Sequence, residues 1–295
     1  MLRHSRGLIH IPTMSDALTK KAAAPKSIEE LPITPVKRTG AGIITLWRSL
    51  LVFLGETASL TGRTISEVAR GRMAASDLVR QMALLGADSI WVVLVVTTAT
   101  GIVFAVYTAT LATSIGFSKF VGGTLAFSFL NELGPLLGGV AFAARAGAAI
   151  AAEIGTMVVT EQVDALRAMA VSPVRYLVAP RVVACIIMLP LLIVFADVSG
   201  LIGSYYAAGA NGVAHQDFVD SVLTFVRVSD LTSGLIKAVV FGFIIGIVAC
   251  QQGLRTTGGA TGVGRSTTSS VVLCVLLIFV SDIFLAEMLM AKPGR

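Results

Sequence analysis

A handful of ionisable side chains stand inside or beside long apolar runs: Glu132, Arg145, Glu153, Asp197, Lys237, Asp282 and Glu287. A charge is costly in lipid, so in such a place it marks a polar path, a relay or a paired site. Glu153 and Lys237 lie near enough to the ends of their runs to reach the interface. Glu132, just before Gly134-Pro135, and Arg145 fall nearer mid-run, where a polar contact in a cavity, a gate or a structural ion pair are the available roles. A proton relay through Glu132, Asp197 and Asp282 would belong to an ion-gradient-driven secondary transporter. That alternative calls for an inverted repeat, and the runs show no convincing internal symmetry.

Covalent and metal chemistry find no support. HExxH and GxSxG motifs are absent, His4, His10 and His215 are scattered, and Cys185, Cys250 and Cys274 form no CxxC pair, so neither a metal site, a cofactor nor a disulfide framework is expected. Gly259 to Ser266 imitates a phosphate-binding loop, but Arg265 stands where lysine is needed. The segment follows an apolar helix instead of a strand, and reads as a glycine-rich turn between two spans.

The 295 residues are 55% hydrophobic and 14% charged, with a mean hydropathy of +0.85. A soluble domain cannot hide that much apolar surface, so the expected class is an all-α membrane protein. The net charge of +6 is spread between apolar runs instead of gathered on one basic helix, which speaks for membrane orientation and against a nucleic-acid partner. Residues 1–42 read as a disordered tail; Arg3 and Arg6 give its start a faint transit-peptide character, and Met14 competes with Met1 as the true start. Over 43–88 an interfacial helix and an elbow are expected. Ile43, Trp47, Leu50, Leu51, Leu54 and Ala58 share one helical face opposite Arg48, Glu56 and Ser59, and the segment from Met73 to Leu85 leads into the first span.

About five transmembrane helices follow, at 89–112, 121–157, 176–208, 232–254 and 267–290, each long enough to cross a core of about 30 Å. The second and third exceed that need and should be tilted, broken at Pro135 or Pro190, or extended beyond the bilayer. Arg63, Arg70, Arg72 and Arg80, then Arg167, Arg175 and Arg181, then Arg255 and Arg265 mark alternate loops as cytoplasmic, while the 209–231 loop carries Asp217, Asp220 and Asp230. Lys292 and Arg295 fall on the wrong side of this scheme. In the second span Gly139, Ala143, Gly147, Ala151 and Gly155 recur every fourth residue, a smooth stripe suited to helix packing, with a subunit interface or the lining of a path as refinements.

The cytoplasmic segment between the second and third spans is the most informative. Glu161, Gln162, Val163, Asp164, Leu166, Arg167 and Met169 form a short amphipathic helix near 160–170, with Thr160 as its N-cap and Pro173 as its stop. Val163, Leu166 and Met169 make an apolar strip that a solvated loop would not need, so a docked partner protein is inferred against the alternative of a helix lying on the chain's own membrane face.

The stretch from Phe129 to Ala184 closely resembles the signature region of MlaE/YrbE permeases: Glu132 to Pro135 as ELGP, the small-residue run around Arg145, Glu153 to Ala165, and Pro173 to Arg181. Leu235 to Val272 is similar to the family's later spans and the turn between them. The resemblance implies a permease domain over 89–295, in a homodimer or a pair with a paralogous permease. It also implies a cytoplasmic ABC ATPase subunit that the 160–170 helix couples to, and an MCE-domain lipid-binding protein on the far side. The expected activity is ATP-driven movement of phospholipid or similar lipids, with Glu132, Arg145 and Glu153 along the lipid path or its gate. The expected location is the plasma (inner) membrane of a bacterium, with the plastid inner envelope second.

Overall fold

Runs of Val, Ile, Leu, Ala and Phe without polar interruption become helices because lipid offers the backbone no hydrogen-bonding partner outside its own turn. The computed structural model describes residues 41–71 and 75–290. The expected tail, apart from its last two residues, and Lys292 and Arg295 therefore lie outside the described residues. Among the described residues eight elements follow in order: α1 Ala41–Ala69, α2 Ala75–Ser114, α3 Ser118–Val159, α4 Gln162–Ala168, α5 Val174–Ala210, α6 His215–Phe225, α7 Val228–Leu254 and α8 Gly259–Met290. Five of them, α2, α3, α5, α7 and α8, are long and apolar enough to cross a membrane.

The crossings alternate in direction. Thr97 meets Ser199 at 3.0 Å and the Ser204 hydroxyl donates to the Gly101 carbonyl at 3.1 Å, so α2 and α5 run parallel. In α7, Gly242 abuts the Cys185 backbone and Gly246 abuts Val182, which makes α7 antiparallel to α5. Gly139 against Phe241 and Gly147 against Ile245 set α3 parallel to α7, and Ile278 and Cys274 of α8 fill the remaining side. Apolar attraction between helices is weak in lipid, so these close approaches at small residues supply the van der Waals contact that holds the bundle. Phe142, Leu189, Ile193, Phe241, Ile245 and Ile278 occupy its centre.

Several boundaries differ from expectation. The elbow is not a separate element: Asp77, Arg80 and Gln81 belong to the first turns of α2, which continues unbroken to Ser114. Gly259 to Ser266 is the start of α8 instead of a turn; the turn is confined to the residues before it, where Gly258 and Gly259 take φ of 89° and 70°. At 42 residues α3 is about 63 Å long at 1.5 Å per residue, about twice the thickness of a hydrocarbon core of about 30 Å. Pro190 sits within continuous helix, whereas Pro135 follows a widened π turn at Phe129–Leu133. The acidic 209–231 loop contains a helix, α6, whose Phe218 and Ser221 face the start of α3; the Ser221 hydroxyl accepts from the Gly123 N–H at 2.8 Å.

From Leu51 onward α1 turns Phe53, Thr57, Leu60 and Thr64 toward the bundle and leaves Leu51 and Leu54 exposed. Thr57 donates to Gln251 at 2.5 Å and Glu56 pairs with Arg255 at 3.4 Å, tying the helix to the end of α7. Exposed leucines on one face and polar ties on the other suit a helix embedded in the interface.

Candidate functional site

Helix α3 carries two π turns, Phe129–Leu133 and Ala143–Gly147. Glu132 lies in the first and Arg145 in the second. Each widened turn interrupts the regular ladder, a distortion that proteins commonly place at functional positions. Proline at 135 supplies a cause for the first, because it has no N–H to return to the preceding turn. No comparable residue explains the second.

Glu132 is ion-paired with Lys237 of α7, and Lys237 also meets Asp282 of α8 at 2.8 Å. The Lys237 side chain is 2% exposed and Asp282 9%, while Glu132 is 41% exposed. Lys237 thus does not reach the interface as its position near a run end suggested. It lies inside the bundle, held by two carboxylates from two neighbouring helices. One cation between two acids leaves a formal charge of −1, and that charge opens to the surface of the chain through Glu132.

Arg145 pairs with Asp88 of α2 at 2.8 Å, both partly exposed. Glu132 and Arg145 therefore do not pair with each other. Asp88 escaped the sequence reading because it falls one residue before the span as drawn. Glu153 pairs with Arg181 at 2.8 Å, and Arg181 is almost wholly buried. Asp197 faces Gly134 at the end of the first π turn, and neither of its carboxylate oxygens has a hydrogen-bonding partner among the described residues. The structure does not join Asp197 to Glu132 and Asp282 as a chain of relays. Glu287 is exposed near the end of α8.

The small-residue stripe faces inward. A Cβ on Gly139 would stand 3.2 Å from Phe241, one on Gly147 3.5 Å from Ile245, and one on Gly155 2.7 Å from the Thr256 hydroxyl. Ala143 and Ala151 between them are fully buried. This face of α3 meets α7 and α8 and does not line an open path.

At the arginine-rich end, α4 spans Gln162–Ala168. Its cap is not Thr160, whose hydroxyl donates back to the Thr156 carbonyl. The chain turns at Glu161 with φ of 60° just before the helix and at Ala170 with φ of 58° just after it, left-handed conformations that bound α4 on either side and stop it before Pro173. Such turns cost about 1 kcal/mol each outside glycine. Val163 is buried against its own chain and Leu166 is half-buried, so the apolar strip is not wholly free. Met169, 66% exposed, and the Asp164–Arg167 pair at 2.8 Å remain on the surface.

A bundle of five crossings, with a charged cluster inside it and a short strained helix at its basic end, has the form of a transporter's membrane-spanning subunit. The particular family follows from comparison with known proteins. A family model described as Permease MlaE matches residues 78–288, and the chain belongs to this permease family. It is 38% identical over 252 residues to a probable ABC transporter permease protein of Synechocystis, covering 85% of this chain and 95% of that one. A probable ABC transporter permease protein of Rickettsia typhi is 41% identical over 234 residues, 76% of this chain and 87% of the relative. The chloroplast protein of Arabidopsis thaliana named Trigalactosyldiacylglycerol 1 is 35% identical over 250 residues, 84% and 70% of the two chains.

The chain is accordingly an integral membrane permease subunit of an ABC transporter, and ATP is hydrolysed on a separate ATPase subunit. The ion-gradient alternative gives way to this drive. Its relatives include bacterial proteins and a chloroplast protein.

Proposed function

We propose that this permease moves lipid, with the Glu132–Lys237–Asp282 cluster as the polar point of its path. The observation that carries the reading is the exposure of Glu132 at membrane depth. Glu132 lies about 21 Å along α3 from Ser118, inside a hydrocarbon zone of about 30 Å centred on this helix. A carboxylate there cannot face acyl chains; it must face a watered cavity or a second subunit. A cavity between two copies, or between this chain and a paralogous permease, satisfies that need. The Arabidopsis relative is named for a galactosylated diacylglycerol, which points to the same class of cargo.

Helix α4 is the coupling element in this reading. Glu161, Gln162, Asp164, Arg167 and Met169 would meet the ATPase, while Val163 and Leu166 fasten the helix to its own bundle. Movement of α4 enters α3 directly and reaches Arg145 and then Glu132 through the two π turns, which are the compliant points of that helix. Arg145 and Glu153, in their pairs with Asp88 and Arg181, steady the cytoplasmic half. On the opposite side α6 leaves Val219 and Leu223 exposed beside Val228, an apolar patch suited to a docked MCE-domain lipid-binding protein.

The test uses the complex purified from membranes. Met169→Asp combined with Arg167→Glu should abolish co-purification of the ATPase without loss of the permease from the membrane, and Glu132→Gln should lower lipid transfer while the ATPase stays bound. Normal ATPase recovery with the first variant removes the coupling role; normal lipid transfer with the second removes the path.

A further inference from the structure

At the cytoplasmic end of the bundle a second polar site lies apart from the central cluster. A cavity of about 170 Å³ opens between α2, α3 and α5 and is lined by Asp77, Arg80, Glu153, Tyr176 and Arg181, with Leu84 at its rim. Arg181 is 4% exposed; it donates to the Leu177 carbonyl at 2.8 Å and pairs with Glu153 at 2.8 Å, yet its Nε–H has no acceptor. A buried guanidinium N–H without an acceptor is costly and calls for a ligand oxygen. Arg80 and Asp77, the other charges of the cavity, form no ion pair among the described residues, so three of its polar groups have unused capacity.

Depth and charge define what fits. Glu153 lies six residues before the end of α3 and Arg181 seven after the start of α5, each about 10 Å in from its helix end, and Arg80 is in the second turn of α2. In helices this much longer than the bilayer is thick, that is headgroup level on the arginine-rich, cytoplasmic side. Two arginines face two carboxylates, so the cavity is formally neutral, unlike the basic pockets that collect multiply anionic headgroups. Beyond Arg80 the same face of α2 carries Leu84 and then Trp91, both exposed, in a line leading into the hydrocarbon.

We propose that this cavity holds the headgroup of a zwitterionic aminophospholipid of the cytoplasmic leaflet. The Arg80 guanidinium donates to the phosphodiester oxygens and the buried Arg181 Nε–H joins it once the side chains around it give way; the Asp77 and Glu153 carboxylates accept from the ammonium, and the acyl chains run along Leu84 and Trp91. The site concerns the membrane around the chain and not the substance it moves, so failure of lipid transfer in the variants above leaves it standing.

The experiment is lipid retention by the full-length permease, extracted with its ATPase from nanodiscs of equal phosphatidylethanolamine and phosphatidylglycerol and read by native mass spectrometry. The wild type should retain phosphatidylethanolamine with about tenfold preference, the factor expected for one charge-assisted hydrogen bond. Arg80→Glu, which disturbs no ion pair, should remove the preference, and Asp77→Asn should reduce it. Retention in the bulk ratio by wild type, or an undiminished preference in Arg80→Glu, overturns the proposal. Displacement of the lipid by 10 mM inorganic phosphate also overturns it, by showing a site for free anion.

Discussion

Replacing Lys237 with methionine isolates the electrostatics of the central cluster. Methionine is close to lysine in length and fills the same space, so no cavity opens and the change is the loss of one buried cation. Two carboxylates are then left facing each other. Breaking a buried ion pair by removing one partner costs about 3–5 kcal/mol. Glu132 is open enough to be rehydrated and its share must be discounted, whereas Asp282, 9% exposed, has no such recourse. The lower end, about 3 kcal/mol, is therefore expected. With about 2–4 °C per kcal/mol for chains of this size, the unfolding midpoint should fall by about 6–12 °C. The three cysteines provide the assay, since all are buried and a thiol-reactive dye reports them only as the bundle opens. Adding Asp282→Asn to Lys237→Met should recover more than half of the loss. A midpoint within about 1 °C of wild type, or no recovery in the double variant, would refute the assignment of Lys237 as a shared buried counter-ion.

Further outcomes follow from packing and backbone. Gly101→Val would drive a side chain onto the Gly200 carbonyl, which is backbone and cannot swing away, so a loss of about 1–3 kcal/mol is expected in the same melting assay. Gly147→Ala has its nearest neighbour at 3.5 Å and should be neutral or stabilising; equal losses for both would show that the α2–α5 contact is not the tighter one. Asp197→Asn removes a charged group with no partner and should leave the midpoint unchanged or higher, whereas a drop of several degrees would mean that the carboxylate is satisfied in the membrane. Ala170→Gly relieves a left-handed residue and should stabilise the segment after α4 by about 1 kcal/mol, seen as slower hydrogen exchange over 169–174; faster exchange contradicts it.

The five crossings are legible because length and apolarity alone decide them. Their ends are not, because Asp77, Arg80 and the glycines at 258–264 look like loop signals although a helix longer than the bilayer is free to carry polar turns in water. Glu132, Lys237 and Asp282 each stand out as charges in apolar runs. Their union depends on the register of three helices, which no single run encodes. Nine residues from the start of α7, Lys237 looks close enough to snorkel, but α3 and α8 present acids at the same level. The strip on α4 shows the opposite limit, since period alone marks Val163 as apolar without saying that its own bundle covers it.

The first π turn gives the closest link between a sequence signal and the geometry of the cluster. Pro135 cannot donate an N–H to the turn before it, and the widened turn at Phe129–Leu133 directly precedes it. Restoring that donor with Pro135→Ala should let the turn tighten toward regular α-helix, and one residue of register rotates a side chain by about 100° around the axis. Glu132 would then leave Lys237 while Asp282 keeps it, so most of the stabilising pair survives but the opening to the surface closes. The two substitutions act on one interaction and should not add. In a double-mutant cycle, Pro135→Ala with Lys237→Met should deviate from additivity by about 1 kcal/mol, beyond the roughly 0.5 kcal/mol seen for independent sites. Additivity within that margin would show that the turn does not set the position of Glu132, and the route from α4 to the cluster through α3 would lose its last step.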